Sequence, residues 1–287
     1  MDNLVDFTKA KTKHKKKVKQ SVSDSDQALL HALSQLQYAT IDQLMRLGDI
    51  TSVRGTQVRL KWLTENKYIA RLHRAHASQH KVSYAYRLDR KGQEAVRMLG
   101  TEVDLRGNLT PGFLEHALLI SEIMLLCKEL ERAYAPTITI KRLLHDYELR
   151  TLQLPVSPDG YVHFLITRYQ YPIIIEVDRG TETQETIASK IERYITYTAG
   201  GFQAQFQVKA ATIIWLTAGQ QGRLLNLQKT IEKVLTEKQA TDMSDWFYLS
   251  TFSLKEHYNT VFLQPRFLLP FAGSTPYTLI EEVNQPP

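Results

Sequence analysis

The 287-residue sequence predicts a mixed chain, α+β in its first part and α/β in its second, and three observations predict it. Positive charge is concentrated at the start: residues 1–99 hold 19 Lys+Arg against 9 Asp+Glu, and the remainder holds 17 against 21. Apolar residues recur at helical spacing three times between residues 24 and 65 and then alternate over two short segments, so three helices precede a hairpin. Farther on, all-apolar runs such as Ile173-Ile174-Ile175 and Ile213-Ile214-Trp215-Leu216 read as strands buried on both faces. They alternate with helical patterns, which is the order of an α/β sandwich.

Residues 1–22 carry seven lysines between Lys9 and Lys19 and show no apolar periodicity. Such a run repels itself and stays extended. Lys15, Lys16 and Lys17 either lie along phosphates, gaining affinity by counterion release, or serve as a solubilising tail. A first helix is expected over 24–37 on Leu29, Leu30, Leu33 and Leu36, with Ser23 or Asp24 as its cap. Thr40 caps a short second helix, Ile41, Leu44 and Leu47 face inward, and Gly48 ends it. A third helix spans 52–65 with Val53, Leu60 and Leu63 inward, and Asn66 takes the left-handed position that closes it.

Residues 68–74 and 82–88 then alternate as two strands around a polar, basic connection, and Asp89 caps a further helix to about Leu99. Three helices plus a hairpin over 23–100 is the winged helix-turn-helix order, and the segment resembles that family. In that arrangement the third helix enters the major groove of double-stranded DNA. Its outward residues are Arg54, Gln57, Arg59 and Lys61, where Arg and Gln suit base edges and Lys suits phosphate. Arg71, Arg74 and Lys81 of the wing, with His76 and His80, reach the neighbouring backbone. The alternative for this unit is a protein-contact module whose polar face is merely solvated.

Residues 101–112 form a polar connection. Thr110-Pro111 caps and opens a long helix to about Ala133. Strands follow at 137–142, 161–166 and 172–177, then a helix at 186–198, a strand at 211–217, a helix at 222–238 and a strand at 246–251. The α/β unit therefore covers 113–260, and the Pro-rich tail 261–287 is expected to be irregular. No internal repeat is visible.

Composition excludes several classes. The single cysteine, Cys127, rules out a disulfide framework within one chain and fits a cytoplasmic protein. No apolar h-region opens the chain and no apolar run reaches about 18 residues, so neither a secretory signal nor a membrane span is expected. The histidines lack zinc spacing, and Gly200-Gly201 is a helix stop rather than a phosphate loop.

The chemistry-bearing stretch joins Pro158-Asp159-Gly160, at the mouth of a strand, to Glu176-Val177-Asp178-Arg179-Gly180-Thr181-Glu182, at the end of the next. Residues two apart on a strand share a face, so Glu176 and Asp178 point the same way, and a hairpin neighbour brings Asp159 to them. Three converging carboxylates repel unless a cation joins them, and an all-oxygen donor set suits Mg²⁺ or Mn²⁺. Such an ion activates water for attack on a phosphodiester, and Lys190 on the following helix stabilises the developing charge. Tyr194 lies on the same side of that helix. Structural alternatives stand beside each of these: His116 as a hydrogen-bonded core histidine, Arg179 in a strand-ending ion pair, Glu182 as a helix cap, and Tyr194 as a core aromatic with a satisfied hydroxyl.

This pattern resembles the PD-(D/E)XK nuclease core, in which a helix precedes a three-stranded meander carrying Asp and then Glu-x-Lys. Asp159 and Glu176 stand at the first two positions and Asp178 departs from the third. The resemblance implies a restriction-endonuclease-like fold, with Lys190 as the relocated lysine and Glu115 as an added metal ligand. The sequence resembles the replication-relaxation family of bacterial plasmids and mobile elements more fully. The matching residues are Glu115-His116-Ala117-Leu118, Pro158-Asp159-Gly160, Glu176 to Glu182, and Lys190 with Tyr194.

That resemblance implies a role in replication or mobilisation, in the company of double-stranded DNA and of other replication, mobilisation or transposition proteins. A homodimer is compatible with it. Three functions are open at this point: a Mg²⁺- or Mn²⁺-dependent nuclease or nickase; a non-catalytic DNA-binding initiator or accessory factor on a nuclease-like scaffold; and an enzyme-free regulator.

Overall fold

Ser23 starts the ordered chain by chemistry that the sequence advertised. Its hydroxyl accepts from the backbone N–H of Asp26, and Asp26 reaches back to the Ser23 N–H, closing a capping box on helix α1 (Asp24–Leu36). The computed structural model describes residues 22–74, 83–100, 110–198, 200–219 and 221–281. Lys15, Lys16, Lys17, His76, His80 and Lys81 lie outside the described residues.

A two-residue strand β1 (Ala39–Thr40) leads into α2 (Ile41–Leu47), where Thr40 and Gln43 form a second capping box. Helix α3 (Val53–Glu65) is capped by the Ser52 side chain. It is followed by the hairpin β2 (Ile69–His73) and β3 (Tyr84–Leu88), then α4 (Arg90–Met98). Strand β3 lies between β1 and β2 and is antiparallel to both. Three helices with this small sheet form a winged helix; the pairing of β1 with β3 was not legible in the sequence.

Two local expectations fail. Val53 is 52% exposed rather than inward, because it is the first helical residue and overhangs a core filled by Thr56, Leu60 and Leu63. Asn66 keeps a negative φ of −93°, and Lys67 takes the left-handed turn with φ 63°.

The second unit opens with the long helix α5 (Pro111–Tyr134), capped by Thr110 with Pro111 in its first turn. Strand β4 (Ile138–His145), the short helix α6 (Asp146–Thr151), β5 (Gly160–Ile166) and β6 (Tyr169–Asp178) follow. Next come α7 (Gln184–Thr198), α8 (Gly201–Phe206), β7 (Thr212–Thr217), α9 (Gln221–Glu237) and β8 (Phe247–Thr251). The five strands lie in the order β4-β5-β6-β7-β8. The first three form an antiparallel meander; β7 and β8 run parallel to β6. A helix, a meander and two helical crossovers are the mixed architecture the sequence predicted.

The alternation of β6 sorts its residues between two layers. Ile173, Ile175 and Val177 pack with α5 residues Ile123 and Leu126, and that core continues into the winged helix through Leu33, Leu60 and Leu63. Ile174 joins Tyr194, Trp215 and Ile231 on the side of α7 and α9. The tail has little regular structure but is packed: Phe262, Phe267 and Ile280 are buried, and Leu268 bridges Leu249 of β8. No helix among the described residues is long and apolar enough to cross a membrane.

Helix α5 serves both units. Ser121 donates its hydroxyl to carbonyl oxygens of Leu36 and Tyr38. Buried Glu122 accepts from Gln43 at 2.8 Å, from Arg46 at 2.6 Å and from the Lys255 backbone N–H at 3.0 Å. Arg46 also grips Glu129 in two places, at 2.9 and 2.8 Å. A lone glutamate inside an apolar helical stretch was the available signal for this contact.

Candidate functional site

Asp159 is placed by a backbone approach that only glycine permits. A Cβ on Gly160 would lie 2.2 Å from the Met124 side chain of α5, so this residue lets β5 press against that helix. The Asp159 N–H donates to the Ile175 carbonyl, and its carboxylate accepts from the Val177 N–H at 2.8 Å. His116 Nε2, arriving from α5, meets the other carboxylate oxygen at 3.0 Å. Burial alone would raise the Asp159 carboxyl, but the hydrogen bond and charge of His116 outweigh it and hold the group below its ordinary value. Burial likewise opposes the charge on His116, and Asp159 raises it nonetheless.

Glu176 projects from β6 toward α7, on the face it shares with Ile174. Lys190 and Tyr194, one helical turn apart, both donate to its carboxylate. Burial pushes the Glu176 carboxyl up to about 7, and Asp159 adds to this while Lys190 and Tyr194 pull it down. Burial opposes the Lys190 ammonium too, but Glu176 and Asp159 keep it charged and raise it. The ammonium lies 5.6 Å from the centre of the Trp215 ring. Asp159, Glu176, Lys190, His116 and Tyr194 therefore form one electrostatic group at the strand ends, with His116 on the α5 side and Lys190 on the α7 side.

Asp178 does not join them. It shares the face of Glu176, but two residues farther along the strand it reaches α9, where Arg223 Nε donates to it at 2.6 Å. Its other oxygen accepts from the Gly180 N–H at 2.7 Å, a turn closed by Gly180 at φ 78°. Glu115 is also elsewhere: Arg74 of the wing holds it with bonds of 3.0 and 2.7 Å. Arg179 donates to the Gly112 carbonyl, and Thr183 rather than Glu182 accepts from the first turn of α7. The Glu182 carbonyl accepts from Arg223, a residue for which the sequence carried no signal.

The donor set does not fit the expected divalent ion. Among the described residues no three His, Cys, Asp or Glu side chains gather into a group able to hold a metal. The expectation that Asp159, Glu176, Asp178 and Glu115 surround one point is corrected: two of the four are drawn away by arginines, and the two that remain face His116 and Lys190.

The polar surface of the winged helix divides in the same way. Arg54, Gln57 and Lys61 are exposed on α3. Arg59 is not available as expected, because it turns back to make a two-point pair with Asp26, which is fully buried, and lies 5.0 Å from the Trp62 ring. Arg71 stacks on Tyr84 at 4.4 Å. With Gln57 and Lys61 they line an open groove of about 450 Å³ between α3 and the hairpin.

Comparison with known proteins bears on this arrangement in three ways. No curated protein matches the chain. The solved structure of Bacillus subtilis PadR in complex with operator DNA is similar at 13% identity, covering 76% of this chain and 92% of that one. Its TM-score is 0.22, too low to assign a shared fold. The family model described as replication-relaxation matches residues 30–209, a span that takes in the winged helix, α5 and the Asp159–Glu176–Lys190 group. The chain belongs to the replication-relaxation family.

Proposed function

We propose that this chain is a cytoplasmic DNA-binding protein of a plasmid or mobile element, acting in its replication or mobilisation. In this reading its α/β unit is a non-catalytic scaffold for DNA or protein contacts. Family membership and the exposed cations of a winged helix support the DNA contact. One observation carries the non-catalytic part: each acid expected to hold metal already faces a base. Glu115 faces Arg74, Asp159 faces His116, Glu176 faces Lys190 and Asp178 faces Arg223. An ion site needs surplus negative charge, and this network has none to spare.

A second reading, a Mg²⁺- or Mn²⁺-dependent nuclease or nickase, draws on the closeness of Asp159, Glu176 and Lys190 and on the raised Glu176 carboxyl. Both readings meet one experiment. The full chain is titrated onto labelled duplex at several KCl concentrations and, separately, incubated with supercoiled plasmid and Mg²⁺ or Mn²⁺. Retardation that weakens steeply with salt and plasmid that stays supercoiled are expected. Nicking by wild type that disappears in Asp159→Ala establishes the second reading, and absence of salt-dependent retardation refutes the DNA contact itself.

A further inference from the structure

Helix α3 leaves two valines in water. Val58 is 60% exposed and Val53 52%, although Leu60 and Leu63 of the same helix are fully buried. At 100° per residue, Val53, Gln57, Lys61, Arg54 and Val58 fall in that order across an arc of about 140°. The two valines thus border a stripe of cationic and amide side chains. Valine is a mediocre helix former, and neither a cap nor the core requires one at position 58.

The surroundings of Val58 select its partner. Arg54 and Lys61 are exposed beside it, and Arg71 lines the groove between α3 and the hairpin. An apolar protein partner would have to strip water from those cations, whereas a polyanion gains from them. The one apolar feature that B-DNA presents at the edge of a base pair in the major groove is the C5-methyl group of thymine.

We propose that Val58 reads a thymine methyl in the major groove, so that it sets sequence preference while Arg54 and Lys61 supply charge. The inference rests on the DNA-binding reading above. Gln57, adjacent in sequence and on the same arc, offers the amide that suits an adenine, so the preferred site contains an A·T pair at the Val58 position or beside it.

The test begins with duplexes selected by the full chain from a randomised pool. Each thymine of the recovered site is replaced singly by deoxyuridine, which removes only the methyl group. Wild type is expected to lose about fourfold in affinity at one position, the worth of one buried methyl. Val58→Ala should bind the thymine duplex more weakly and show no further loss on deoxyuridine. Val53→Ala should keep the wild-type sensitivity, and Val58→Thr, similar in shape, should retain part of it.

Binding with no thymine-sensitive position, or a sensitivity that survives in Val58→Ala, overturns the assignment and leaves the DNA-binding reading intact. Recovery of no salt-dependent complex from the pool overturns both. The variants melt at the wild-type temperature if Val58 is as free of the core as its exposure indicates, and a large fall in melting temperature counts against the proposal.

Discussion

Arg74 at the end of β2 and Glu115 in the second turn of α5 form a two-point ion pair, Nε to Oε1 at 3.0 Å and Nη2 to Oε2 at 2.7 Å. The wing is thereby fastened to the α/β unit one residue away from His116, which faces Asp159. Removing Glu115 strands a half-buried guanidinium. Glu115→Ala is expected to cost about 1–3 kcal/mol in thermal or urea unfolding. The loss should be the same in EDTA and in Mn²⁺, and a loss confined to Mn²⁺ would restore Glu115 as a metal ligand.

The cations of α3 should separate into two classes. Arg59→Ala leaves Asp26 buried without its partner and is expected to destabilise the fold by about 3 kcal/mol. Lys61→Ala should leave the melting temperature unchanged and lower the slope of log affinity against log salt by about one. Paired unfolding and binding measurements check both, and a stable Arg59→Ala variant with lost DNA affinity would reverse the assignment.

The His116–Asp159 pair makes stability depend on pH in a predictable direction. The His116 value is raised above 6.5, so its contribution is complete below that pH and is lost as pH rises through the raised value. The Asp159 value is lowered below 3.8, so its contribution is present above that pH and is lost as pH falls through the lowered value. The pair therefore stabilises most between about 4 and 6.5. Urea midpoints across this range should decline above pH 6.5 in wild type, and His116→Gln should remove that decline.

Glu176 and Lys190 test the ion-pair reading directly. Lys190→Met alone leaves a buried carboxylate and is expected to cost about 3–5 kcal/mol above pH 7. The double variant Glu176→Gln/Lys190→Met, which keeps a partner for Tyr194, should return to within about 1 kcal/mol of wild type. Additive losses in that cycle would show that the pair is not what ties these residues together.

Glu122 is expected to control the union of the two units. It is 1% exposed and accepts from Gln43, Arg46 and the Lys255 backbone. Glu122→Ala should split the single calorimetric transition of wild type into two, each smaller in enthalpy. A single transition at a lower temperature would mean that apolar packing alone joins the units.

Much of the element order was legible because each element had a local cause: Ser23, Thr40 and Thr110 as caps, leucine spacing on α1, and all-apolar runs in β6 and β7. What escaped depended on pairing between distant residues. The sequence shows that Glu176 and Asp178 share a face, but not that Arg223, 45 positions later than Asp178, waits beside one of them. It shows Arg59 on a polar helix, but not that Asp26 captures it. Charges read along a chain look free until the fold supplies their partners.

Helix α5 has a last consequence. With the DNA reader and the five-stranded sheet both seated on it, no slack separates the recognition helix from the strand ends that carry Asp159. On a duplex the second unit must then hang at a set distance and on a set side, like the arm of a bracket. Protection from chemical cleavage should extend asymmetrically beyond the major-groove contact, in one phase of the double helix, and lengthening α5 by a single residue should rotate that shadow around the DNA by about 100°.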